Sequence, residues 1–179
     1  MAAPDLLTRL LGRLAPGRHR SALALARWLG PWAARELPDD VERREERLPG
    51  TPPVRCYRYE AASDPRGVYL VVPGLHYAGP DDERLDRFCR VLARAGHVVL
   101  APFLDDFLAL RVAPGAAAEL ALAADRAAAL AAERHLPRPA LFSISFGCLP
   151  ALEIAASERH QDTFGTLVVF GGYRDFFAK

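Results

Sequence analysis

The chain has 179 residues, 51% of them hydrophobic, and a formal net charge of +1. That length suits one domain with a core of its own, and the near balance of charge excludes a broad nucleic-acid surface, leaving small, neutral partners as the expectation. Cys56, Cys89 and Cys148 lie far apart without metal-ligand spacing, so no metal site is expected, and an odd number is poor material for a disulfide framework, which implies a reducing, cytoplasmic compartment.

In chain order, the N-terminus lacks the continuous apolar stretch of a signal peptide, and no segment reaches the roughly 20 apolar residues of a membrane span. Leu6, Leu7, Leu10, Leu11 and Leu14 share a helical face, with Arg9, Arg13, Arg18 and Arg20 among or after them. A helix docking its leucines on the domain is expected within residues 1–37, with a second helix from Ser21 to Leu37; the same pattern also fits weak association with a membrane surface. Residues 38–53 belong to a charged, proline-punctuated stretch (ELPDDVERREERLPGTPP) that reads as a linker. From residue 54 to 179 a single domain is expected.

Val54 to Glu60 alternates as a strand does, and Val68 to Val72 is an apolar run that predicts a buried strand. Leu85, Phe88, Cys89 and Leu92 recur at helical spacing between Arg84 and Ala95, with Gly96 as the C-cap. His97 to Ala101 is the next short apolar run, followed by an alanine-rich helix from Ala116 to His135. Ala140 to Phe142 reads as a strand, Phe146 to Ser157 as a helix and Thr166 to Phe170 as a last strand. Apolar strands alternating with helices predict an α/β fold, a mostly parallel sheet flanked by helices.

The chemistry-bearing segment is Ala140-Leu-Phe-Ser-Ile-Ser145-Phe-Gly147, a strand running into a turn with a central serine and then into a helix. Such a turn exposes the serine hydroxyl at the carboxyl edge of the sheet, and it needs small residues two before and two after; Ser143 and Gly147 are small. The helix that begins there aims N–H groups and its positive dipole end where an oxyanion would form.

From about Val54 to Tyr173 the chain resembles the α/β-hydrolase fold family. Ser143 stands where the commoner first glycine of the nucleophile turn would be. Val72-Pro73-Gly74-Leu75-His76-Tyr77 resembles the family's His-Gly oxyanion loop, with Pro73 in place of the histidine. The resemblance implies Ser145 as nucleophile, the backbone N–H groups of Leu75 and Phe146 as oxyanion donors, no cofactor, and an ester or related acyl substrate of small size.

In that family the histidine base follows the last strand of the sheet and the acid usually follows the strand before it. Neither segment is present, so the chain is expected to be truncated after the strand that follows the nucleophile helix, with a bare sheet edge and little activity of its own. His76 and Asp175 are the candidate base and acid within it; a loop residue is the alternative for Asp175. His19 and His160 read as surface residues, while His97 opens a strand and His135 ends a helix. Asp81, Asp82 and Glu83 fit a helix N-terminus better than a metal site, Asp105 and Asp106 read as solvated loop residues, and Cys148 as a small packed side chain. The competing expectation is a catalytically silent α/β-hydrolase-like binding or interaction protein; the oligomeric state stays open.

Overall fold

A computed structural model describes residues 38 and 40–172; the expected N-terminal helices and Asp175 lie outside the described residues. The fold is α/β. Among the described residues six strands, β1 (Val41–Leu48), β2 (Val54–Ala61), β3 (Val68–Val72), β4 (Val98–Pro102), β5 (Ala140–Ile144) and β6 (Thr166–Phe170), form one sheet in the order β1-β2-β4-β3-β5-β6. β3 runs parallel to both β4 and β5, and β5 to β6, whereas β2 is antiparallel to its neighbours β1 and β4. Helices α1 (Glu83–Arg94), α2 (Asp105–Leu108), α3 (Gly115–Glu133) and α4 (Cys148–Ala156) connect the strands.

The pleat sorts the core into two layers. Leu70, Val72, Leu100 and Leu141 pack with α3 and α4 through Leu120, Ala123, Ala124, Ala127 and Ile154. Val71, Val99 and Ala101 face the other way, onto Leu85, Cys89 and Leu92 of α1. Alternate residues of one strand thus serve opposite layers, the reason these short runs are apolar throughout.

One expectation is corrected. Residues 38–53, read as a linker, hold β1, paired along its whole length with β2 from Val41 opposite Ala61 to Leu48 opposite Val54. Apolar alternation does not mark it, because only Val41 and Leu48 at its ends are buried. Its polar residues are held by ion pairs instead: Glu45 with Arg55 at 3.0 Å, and Glu46 with Arg58 of β2 and Arg126 of α3, both at 3.1 Å. Glu46 thus faces α3, while Arg43 faces α1 and meets Asp86 at 2.7 Å. Several such charges in one network hold an edge strand better than isolated surface pairs would.

At the other edge β6 pairs, among the described residues, with β5 alone, and Leu167, Val169 and Phe170 are 40%, 42% and 66% exposed. No described helix is long and apolar enough to cross a membrane.

Candidate active site

Because β3 and β5 are parallel neighbours, with Val72 opposite Ser143, the segments that leave their carboxyl ends start side by side. One is Pro73-Gly74-Leu75-His76; the other begins at Ser145, a single 3-10 turn (Ser145–Gly147) that leads into α4. The helix expected from Phe146 therefore starts two residues later, because Ser145 makes the bend. Ile144 is still extended, at φ −119°, while Ser145 has φ +50°, in the left-handed region that non-glycine residues seldom occupy.

Two glycines let the segments interlock. A Cβ on Gly147 would lie 2.4 Å from the Pro73 carbonyl oxygen, closer than real Cβ contacts come, and 3.1 Å from that of Val72, tighter than most. A Cβ on Gly74 would lie 3.3 Å from the Ile144 oxygen and 3.5 Å from Ser145 Cβ. Ser143 is fully buried, and its hydroxyl donates to the Val168 carbonyl at 3.3 Å, so it ties β5 to β6. The two glycines at 147 and 74 thus let the two segments approach at the bend.

Strain at Ser145 has a measurable signature. Left-handed backbone costs an L residue about 1–2 kcal/mol, which glycine does not bear, though glycine forfeits part of this through its freer unfolded chain. Ser145→Gly is expected to leave the protein unchanged or up to about 1 kcal/mol more stable in urea denaturation, and Ser145→Val to destabilise it by about 1–2 kcal/mol. A glycine variant clearly less stable than the parent would contradict the strained bend.

Ser145 and the Pro73–His76 segment line one cavity of about 330 Å³, walled further by Leu85 and Phe88 of α1 and by Ile144. Its rim is polar. Asp82 caps α1, accepting from the N–H groups of Arg84 at 3.0 Å and Leu85 at 3.3 Å, as the acidic run before that helix predicts. The Arg84 guanidinium also donates to it from Nε at 3.0 Å and Nη2 at 2.9 Å, and these bonds hold the Asp82 carboxyl below its usual range. His76 is half-buried. Its Nδ1 accepts from the Ala78 N–H at 3.3 Å, its Nε2 lies 3.7 Å from Asp82, and its ring leans on Tyr77 at 4.6 Å. Both ring nitrogens thus face partners other than serine, and among the described residues no side chain is hydrogen-bonded to the Ser145 hydroxyl.

Other acidic and histidine residues sit elsewhere. Asp105 and Asp106, expected in a loop, form the first turn of α2; Asp106 accepts from Arg111 at 2.9 Å. His160, read as a surface residue, is buried at 3% exposure: the turn after α4 folds back onto α3, bringing Nε2 to 3.0 Å from Asp125 and Nδ1 to 3.4 Å from Ser157 Oγ. This serine, histidine and aspartate meet without forming a poised nucleophile, since the Ser157 hydroxyl donates to the Ile154 carbonyl at 2.7 Å and so fastens the end of α4. Cys148 is buried, as expected. No group of three or more metal-ligating side chains occurs among the described residues. The cavity walls at Leu85 and Phe88 escaped the sequence reading, because helical spacing shows that they face the sheet and not that they reach its carboxyl edge.

The described chain has the α/β-hydrolase fold, over part of that fold's usual length. No family model matches the sequence, and no curated protein does. Among solved structures, brefeldin A esterase, a bacterial homologue of human hormone sensitive lipase, matches with a TM-score of 0.61 at 20% identity, over 93% of this chain and 48% of its own. Dienelactone hydrolase from Anabaena variabilis matches with a TM-score of 0.59 at 20% identity, over 74% of this chain and 64% of its own. A further esterase matches at 0.57 and 17% identity, over 72% and 43%. The chain thus spans less than two thirds of each of these structures, and the likeness is one of fold.

Proposed function

We propose that the chain carries the nucleophile half of a serine hydrolase site that acts on an ester or related acyl compound. The observation that carries this reading is Ser145 at φ +50° on the tip of β5, in one cavity with the Pro73–Leu75 segment of the neighbouring parallel strand. Structures that share the fold are named as esterases and a dienelactone hydrolase, which agrees with the ester as substrate class.

In this reading Ser145 Oγ attacks the acyl carbonyl. An O–C bond forms, and the carbonyl electron pair moves onto oxygen, where the N–H groups of Leu75 and Phe146 hold the oxyanion. Collapse expels the alcohol, and water later releases the acid from the acyl-serine. The serine proton must leave at the first step. His76 is a weak candidate to take it, since Ala78 and Asp82 already engage its nitrogens; Asp175 remains a proposed acid without a described position. The same observation favours a second reading, in which the chain keeps the pocket as a binding surface and lacks turnover of its own.

A nitrophenyl acetate assay separates these outcomes. Residues 1–179 are expected to hydrolyse the ester only slowly, with Ser145→Ala and His76→Ala each changing the steady rate by no more than about twofold, because the first step lacks a positioned base. Efficient hydrolysis lost in both variants would overturn this account and make His76 the base.

A further inference from the structure

We infer that the cavity beside Ser145 selects a short apolar acyl group, alkyl or phenyl, and rejects one that carries a carboxylate; this rests on the reading of Ser145 as nucleophile. The wall closest in sequence to the reacting position is apolar: Ile144, directly before Ser145, points to the α1 side of the sheet, where Leu85 and Phe88 complete the surface. Leu75, Phe88 and Ile144 each stay only partly buried, and all three line this cavity. Apolar surface gathered beside a reactive group is the usual composition of a small-molecule site, and about 330 Å³ lies at the small end of such sites.

The polar rim does not reverse this preference. Asp82 is taken up by the Arg84 fork and by two backbone N–H groups, and that fork spends Nε and Nη2 on Asp82. A carboxylate carried into the cavity would meet Leu85, Phe88 and Ile144 and lose its hydration without a matching cation. An alkyl or phenyl group loses nothing there and covers apolar surface.

Boronic acids test this directly, since Ser145 Oγ can add to boron, its proton passing to solvent, to leave a tetrahedral boronate anion. Phenylboronic, n-butylboronic and 2-carboxyethylboronic acid are titrated calorimetrically into residues 1–179 and into Ser145→Ala. The first two are expected to bind at least tenfold more tightly than the third, and all three to weaken in Ser145→Ala with their order kept. Phe88→Asp should erase the order; because Phe88 also packs on Phe142 at 4.9 Å, Phe88→Trp is measured beside it and should weaken phenylboronic acid at least fivefold while leaving the carboxyethyl compound within twofold. Equal affinities in the parent chain, or tighter binding of the carboxyethyl compound, would overturn the inference. The apolar order with all three affinities unchanged in Ser145→Ala would support the apolar seat and count against Ser145 as nucleophile, so the two claims fail separately.

Discussion

Gly147→Ala is expected to cost about 3 kcal/mol or more in urea denaturation, and to abolish any chemistry at Ser145, although it adds one methyl group. Helix propensity argues the other way by up to about 1 kcal/mol, and Gly147 has φ −58°, which alanine adopts freely. Sterics decide the sign. The new Cβ would stand 2.4 Å from the Pro73 oxygen and 3.1 Å from the Val72 oxygen, and both obstacles are backbone at the end of a central strand, so no side-chain rotation relieves them. Overpacking a well-filled core typically costs about 1–3 kcal/mol, and this site falls at or above the top of that range. Gly74→Ala supplies the internal comparison: its nearest contact is 3.3 Å, which a shift of a few tenths of an ångström relieves, so a loss below about 1 kcal/mol is expected. Equal losses at the two glycines would contradict the interlocked arrangement.

Asp86→Ala is expected to destabilise the protein by about 3–5 kcal/mol, the range for removing one partner from a buried ion cluster. Asp86 is 7% exposed and accepts from Arg43 at 2.7 Å, from the Tyr59 hydroxyl at 3.1 Å and from Arg90 at 2.8 Å. Burial raises the Tyr59 phenol well above its ordinary range, and the neighbouring Asp86 adds to the shift, so the hydroxyl keeps its proton and donates. Without the carboxylate, two guanidinium groups and a fully buried phenol would lose their common acceptor, and β1 and β2 would keep only their apolar packing and the Arg90 bond to the Val41 carbonyl as ties to α1. Asp86→Asn retains one acceptor oxygen and the shape, so it should cost less than alanine. A loss under about 1 kcal/mol on Asp86→Ala would show that the cluster is solvated in solution.

The parts of the fold legible in the sequence are the apolar runs: β3, β4 and β5, packed against the helices, and β6, apolar though largely exposed, fall within a residue or two of where Val68, Val98, Leu141 and Val168 place them. β1 was not legible, because the residues that hold it are charged, and a run such as Glu-Arg-Arg-Glu-Glu-Arg reads as solvated until its partners on β2 and α3 are known. His160 was misread for the same reason: its partner Asp125 lies 35 positions away. At the site, the turn at Ser145 was legible from Ser143, Ser145 and Gly147, and the small size of Gly147 has a steric cause that acts locally. The apolar wall was not, since which helix residues overhang the sheet edge depends on where α1 begins relative to β3 and β5.

The central claim is that Ser145 is the nucleophile, and its most direct test is which serine an alkyl fluorophosphonate modifies. The reagent forms a serine O–P bond with loss of fluoride, and peptide mass spectrometry locates the adduct. With residues 1–179 and prolonged incubation, one adduct is expected, at Ser145, forming faster as pH rises because hydroxide must take the proton that no described side chain is placed to accept. Ser157 should stay unmodified despite its contact with His160, because its hydroxyl is bound to Ile154. Modification of Ser157 with Ser145 untouched, or no adduct at Ser145 at any pH at which the chain stays folded, would contradict the account.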